Sequence, residues 1–193
     1  NVNFGQLNNK GLDLSLSAQI IRNKDWFWSV TLTGGHVMDQ IRKISEGLKN
    51  DIDNPYDSSK PKILFVEGGS QYDIYAMRSA GIDPATGKEI FIKKNGEYTF
   101  NYDEKERVAV GNTNPILQGS LMNTLRYKGF SISVATSYTF GSDYFNSTLK
   151  NKVENIDLNY NVDRRVFTDR WKEPGDHTRF LGIGTSTSTS MYS

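Results

Sequence analysis

The sequence predicts an all-β chain with minor helix, built on antiparallel hairpins, and three observations carry that expectation. Two pairs of runs alternate apolar and polar residues with period two. Each pair is closed by a very short polar turn. The two turns are separated by a long stretch from about Gly34 to Pro115, and another long polar stretch follows Gly141. A strand points successive side chains to opposite faces, so period-two runs have one greasy and one wet face.

In the first hairpin Leu12, Leu14, Leu16, Ala18 and Ile20 alternate with Asp13, Ser15, Ser17 and Gln19. Asn23, Lys24 and Asp25 make the turn, and Trp26, Trp28, Val30 and Leu32 return against Phe27, Ser29, Thr31 and Thr33. Val37, Ile41, Ile44 and Leu48 then recur at helical spacing, with Asp39 and Lys43 as an i,i+4 pair, which predicts a short amphipathic helix. The polar segment from Asn50 to Lys62 reads as loop. Ile63 to Val66 and Tyr72 to Met77 are short strand candidates. Gly81 to Gly87 is dense in turn formers. Ile90–Ile92 and Tyr98–Phe100 flank Asn95-Gly96, a hairpin signal. In the second long hairpin Leu117, Gly119, Leu121, Leu125 and Tyr127 alternate with polar residues. After a turn at Tyr127-Lys128-Gly129, Phe130, Ile132, Val134, Tyr138 and Phe140 do the same. The tail from Gly141 mixes Tyr144, Phe145, Trp171 and Phe180 with charges, and ends in a Ser/Thr-rich run that reads as loop.

This patterning fits either a half-buried sheet of a soluble protein or the wall of an outer-membrane barrel. The runs match the ~9–11 residues of a tilted bilayer-crossing strand, the wet faces are mostly Ser, Thr, Gln and Asn, and aromatics gather at the turns. Tight turns alternating with long connections also suit a barrel, although a β-sandwich alternates too.

The 193 residues carry 23 Lys and Arg against 22 Asp and Glu, so charge suggests neither nucleic acid nor an anionic membrane surface as a partner. There is no cysteine, which excludes disulfides and thiolate metal sites. No apolar run approaches the ~18 residues of a transmembrane helix, and the N-terminus is not a signal peptide.

Chemical motifs are weak. Gly81 to Lys88 looks like a phosphate loop but has five residues between its glycines, and Glu89 stands where Ser or Thr would hold magnesium, so a turn is expected. Asp51, Asp53 and Asp57 suggest calcium, but Tyr56 and Lys62 replace the required Gly and Glu, leaving a solvated acidic loop. His36 and His177 have no metal-ligand spacing. Asn146-Ser147-Thr148 matches a glycosylation acceptor, a common chance match. No nucleophile–base or paired-carboxylate constellation appears, so neither enzyme activity nor a cofactor is expected.

Several segments together resemble the SusC/RagA group of TonB-linked outer-membrane transporters of Bacteroidetes, in the family's order. They are Asn9-Lys10-Gly11-Leu12-Asp13-Leu14, Trp26-Phe27-Trp28, Glu67-Gly68 and Ala80-Gly81-Ile82-Asp83-Pro84-Ala85-Thr86-Gly87. Gly111-Asn112-Thr113-Asn114-Pro115, Gly119-Ser120-Leu121, Tyr127 to Ser133, Phe140-Gly141 and Arg170-Trp171-Lys172-Glu173-Pro174-Gly175-Asp176 follow. The resemblance implies a barrel of about twenty-two strands with an N-terminal plug, importing glycans or peptides. It also implies a SusD-like surface lipoprotein as lid, the TonB complex as energy source through a part outside this chain, and outer-membrane lipid as surroundings. Residues 1–193 would then be a partial barrel segment without the plug. Its hairpins would lie at about 12–32 and 117–140, with long extracellular insertions at about 34–115 and 141–193. The expected motif positions are Gly81, Asp83, Pro84, Gly87, Arg170, Trp171, Pro174, Gly175 and Asp176, and the expected ligand or lid contacts are Tyr144, Phe145 and Trp171.

Overall fold

The computed structural model describes residues 5–45, 61–154, 156 and 161–183. These divide into two compact units, one of Asn1–Leu48, Phe65–Tyr72 and Asn112–Asp143, the other of the remaining chain. The acidic loop with Asp51, Asp53 and Asp57 and the terminal Ser/Thr run lie outside the described residues.

The first unit is an antiparallel sheet of four long strands. β1 (Gly5–Arg22) and β2 (Trp26–Ile44) form one hairpin. The connection after β2 leads through three short strands, β3 (Lys62–Ile63), β4 (Asp73–Ala76) and β5 (Arg78–Ile82). β6 (Glu89–Ile92), β7 (Tyr98–Thr99) and β8 (Val108–Asn112) come next. β9 (Leu117–Tyr127) and β10 (Phe130–Phe140) form the second long hairpin. The sheet order is β1-β2-β9-β10, so the two hairpins join through β2 and β9. It is an open sheet, not a closed barrel.

Both tight turns lie at one end of this sheet. The Asn23 side chain accepts from the Asp25 and Trp26 amides at 3.0 and 2.8 Å. In the other turn Lys128 takes φ +51°. The Lys128 amide donates to the Asp25 carbonyl at 2.7 Å, which ties the turns together.

Opposed residues of an antiparallel ladder share a face, so the register assigns the two faces. From the turns outward, one face carries the rows Trp26–Tyr127–Phe130, Trp28–Leu125–Ile132, Val30–Asn123–Val134 and Leu32–Leu121–Thr136. Leu12, Leu14, Leu16 and Ala18 extend these rows on β1. This face is apolar and open: Leu12 is 73% and Phe130 80% exposed. The opposite face carries a ladder of hydroxyls, with Ser17 bonded to Thr31, Thr33 to Ser120 and Thr124 to Ser133. Near the turns, on the same polar face, the Arg126 guanidinium lies 4.2 Å from the Phe27 ring centre.

Asn123 and Tyr138 are polar groups on the apolar face, and both are hydrogen-bonded. Asn123 accepts the Trp28 indole N–H at 2.8 Å. Tyr138 lies over Gly34 and Gly119 and donates to the Thr33 carbonyl at 2.6 Å. A Cβ at Gly119 would collide with that hydroxyl and with the strand beneath it.

The polarity of the faces reverses beyond Leu12. On the face that holds Leu12, β1 continues with Lys10, Asn8 and Gln6 opposite Met38, Gln40 and Lys43. The face that was polar now carries Val37, Ile41 and Leu7. Here the helix expected over Val37–Leu48 is corrected: residues 37–44 continue β2. The reason is a bulge. Gln6 pairs with Lys43 and Leu7 with Ile41, so Arg42 is the extra residue. Ile41 and Ile44 therefore share a face although three apart, and are 6% and 5% exposed. Helical spacing in the sequence is produced by a phase slip in a strand.

β9 pairs with β2 only as far as Gly35. Above that point loop 66–71 takes over the β2 edge. The Ile41 amide donates to Gly69 and its carbonyl accepts from Gly68, both at 2.8 Å. The Asp39 carboxylate accepts from the Ser70 hydroxyl and the Gln71 amide. An apolar hollow lined by Leu7, Ile41, Ile44 and Phe65 sits on the face that carries Val37, Ile41 and Leu7.

The second unit contains two small sheets, β3-β4-β8 and β5-β6-β7. Phe91 and Met77 are fully buried, and Tyr102 meets Phe91 edge-on at 5.6 Å. The Lys93–Gly96 hairpin connects β6 and β7 as the Asn-Gly signal indicates. A second core of Val153, Val166 and Phe180 gathers the tail. Its helical pieces are α1 (Ser147–Leu149), continuing as a π-helical turn over Lys150–Glu154, and α2 (Arg165–Thr168). Asn146 of the chance glycosylation match caps α1 by accepting from the Leu149 amide.

Candidate functional site

Two distant motifs of the second unit build one structure. Gly81-Ile82-Asp83-Pro84-Ala85-Thr86-Gly87 is a closed turn, not a phosphate loop. The Asp83 carboxylate accepts from the Ala85 amide and, at 2.6 Å, from the Thr86 hydroxyl. These bonds, the hydroxyl first, hold its pKa below the usual carboxylate value. The Gly87 amide donates to the Asp83 carbonyl at 2.8 Å. Gly81 and Gly87 take φ +98° and +69°, where glycine alone is unstrained.

The Arg170–Asp176 motif docks on that turn. The Trp171 indole donates to the Pro84 carbonyl at 2.8 Å, and the Gly175 amide donates to the same oxygen at 2.9 Å. The Trp171 ring covers Gly87, leaving no room for a Cβ. Gly175, at φ +103°, follows Pro174 in a turn closed by Asp176, whose carboxylate accepts from the Lys172 and Glu173 amides.

Arg170 pins the tail from beneath. Its guanidinium donates to the carbonyls of Leu181, Val153, Glu154 and Gly182 at 2.8 to 3.3 Å. It is 5% exposed, and burial lowers its pKa against the raising influence of Glu154. A planar fork with five donors suits converging carbonyls in a way that lysine does not.

The motif positions are thus brought together as a clasp. The candidate contact residues are not. Trp171 is engaged in the clasp, and Phe145 is half-buried, with Lys150 Nζ 5.9 Å from its ring centre. Tyr144, at 75% exposure, presents its ring openly. His36 Nδ1 contacts the Ile116 carbonyl, and His177 is exposed. Among the described residues no three His, Asp or Glu converge as a metal cluster. No helix of the described residues is long and apolar enough to cross a membrane. The Trp28–Asn123 couple and the Arg170 fork escaped sequence reasoning. Asn123 left a signal, since it breaks an otherwise apolar period-two row, whereas the carbonyls around Arg170 leave none.

No family model matches the chain. The TonB-dependent receptor P39 of Formosa agariphila is 24% identical over 227 residues, covering 95% of this chain. The TonB-dependent receptor P3 of the same organism is 24% identical over 166 residues, covering 76%. The chain spans 22% and 16% of the length of these relatives. A solved structure of the RagAB peptide transporter superposes with TM-score 0.76 at 22% identity over 95% of this chain and 20% of that one. The RagAB peptide importer in its open-open state gives 0.74 over the same shares. The chain therefore shares its fold with about a fifth of the RagAB transporter chain.

Proposed function

We propose that this chain is part of the wall and extracellular loops of a TonB-dependent outer-membrane importer. One observation carries the reading: the four-stranded sheet opens an apolar face from Trp26 to Leu12 and from Phe130 to Phe140, while its other face is a hydroxyl ladder. Hydrocarbon outside and a wet interior account for both faces. A soluble β-rich module would have to cover rows that are open here. In this reading the tight turns face the periplasm and the long connections are extracellular.

The finer parts of the proposal rest on the resemblance in sequence to the SusC/RagA group and, for a peptide cargo, on the likeness to the RagAB peptide transporter. A SusD-like surface lipoprotein caps the importer, and the cargo is a peptide or a glycan. Tyr144, Phe145 and Trp171 remain the proposed aromatic contacts, with Tyr144 the most accessible. No reaction is catalysed, and no cofactor is used.

The full-length parent protein tests this. It should fractionate with outer membranes, migrate differently in gels with and without heating, and co-purify with a lipoprotein. Uptake of labelled peptide or oligosaccharide should stop when TonB is removed. Migration unaffected by heating, with solubility independent of detergent, would reject the membrane reading.

A further inference from the structure

We propose that the turn end of the sheet is a docking surface for anionic phospholipid headgroups. The proposal rests on the membrane reading above and adds a partner to it. Within the two turns and the residues beside them lie Arg22, Lys24, Arg126 and Lys128, with Asp25 as the one acidic counterpart. The lysines and arginines are disposed differently. Arg126 lies over Phe27 on the polar face, and Arg22 reaches Gln19 there. Lys24 stands exposed in its turn. The Lys128 ammonium lies 5.3 Å from the ring centre of Tyr127, whose side chain belongs to the apolar face.

The Lys128 ammonium sits at the margin of a row of rings, and Lys24 lies in the neighbouring turn. Trp26 and Tyr127 stack with centroids 4.2 Å apart, and Phe130 completes the row. Aromatic side chains favour the interface between hydrocarbon and headgroups. Ammonium groups just beyond that row are therefore held at the depth of the lipid phosphates. The bond from the Lys128 amide to the Asp25 carbonyl fixes one turn beside the other, so the two lysines are carried on adjoining backbone. A phosphate diester with no compensating cation, as in phosphatidylglycerol, matches this charge; a zwitterionic choline lipid carries its own.

The test is photo-crosslinking from position 130 of the full-length parent protein. Phe130→p-benzoylphenylalanine is reconstituted in vesicles of equal phosphatidylglycerol and phosphatidylcholine, and lipid adducts are weighed by mass spectrometry. The phosphatidylglycerol adduct should exceed the choline adduct roughly fivefold, the size expected for a lysine held at an anionic surface. The excess should vanish in the Lys24→Gln, Lys128→Gln double variant and survive in Lys24→Arg, Lys128→Arg. Raising salt on the unsubstituted lysines should also remove it. Equal adducts at low salt, or an excess indifferent to salt or to the glutamines, would overturn the proposal. So would loss of the excess to inorganic phosphate at matched ionic strength, which would make this a general anion site. Absence of every lipid adduct would defeat the membrane reading itself.

Discussion

At the scale of single residues, most of what distinguishes this chain is polar groups that find backbone partners. Gly87 sits at φ +69° beneath the Trp171 ring. Gly87→Ala adds left-handed strain and a clash, together roughly 2–4 kcal/mol. Hydrogen exchange should show faster exchange at the Gly87 and Gly175 amides while the long strands stay protected. Arg170→Met would leave four carbonyls without their donor and should loosen the tail by a similar amount, with exchange rising around Leu181. Asp83 supplies a pH test. Its folded pKa is depressed by its bonds to Thr86 and Ala85, so its stabilising contribution is complete above the ordinary value of 3.8. The contribution is lost as pH falls from there through the lower folded value. The protection of the Ala85 amide relative to its intrinsic exchange rate should therefore begin to fall only below the ordinary value of 3.8, and Asp83→Asn should abolish the step. On the sheet, Asn123→Ala strands the Trp28 indole N–H in an apolar setting and should cost roughly 1–2 kcal/mol.

At the scale of elements, the two faces of the sheet make opposite demands. Lys in place of Leu14, Leu16, Ile132 or Val134 should cost about 2–4 kcal/mol near the bilayer midplane, and little at Ser15 or Ser133. Equal tolerance in a bilayer refolding assay would count against hydrocarbon on the apolar side. The long hairpins were legible because period two is hard to imitate over ten residues and because Asn23 and Lys128-Gly129 are strong turn formers. The far half of β2 was not legible. Ile41 and Ile44 carry a spacing of three that a helix and a bulged strand write identically, and Arg42 gives no local sign of being the extra residue. The clasp was legible only as two motifs. That Trp171 closes on Gly87 depends on tertiary approach between positions 84 residues apart, which spacing alone does not encode. An exposed ring and a docked one look the same in sequence, so Tyr144 and Trp171 were indistinguishable there.

At the scale of the whole molecule, a sheet whose two outer strands each have one edge without a strand partner among the described residues, and whose apolar face is exposed, is poorly suited to water alone. The isolated chain should self-associate in light scattering and become monodisperse in detergent. A monodisperse monomer in water, with the rows Leu12–Ile20 and Phe130–Phe140 open and the long strands protected, would contradict this. The polarity reversal between Leu12 and Lys10 has a further consequence. Together with the Trp26–Tyr127–Phe130 row it marks two fixed heights on the same strands. The eleven residues of β10 run about 36 Å, or about 25 Å when tilted near 45°. If the sheet spans a bilayer as proposed, these two heights would make it a gauge of membrane thickness. In a thicker bilayer the polar ladder of Lys10, Gln40 and Lys43 would be drawn toward hydrocarbon, and in a thinner one Leu12 and Phe140 would be wetted.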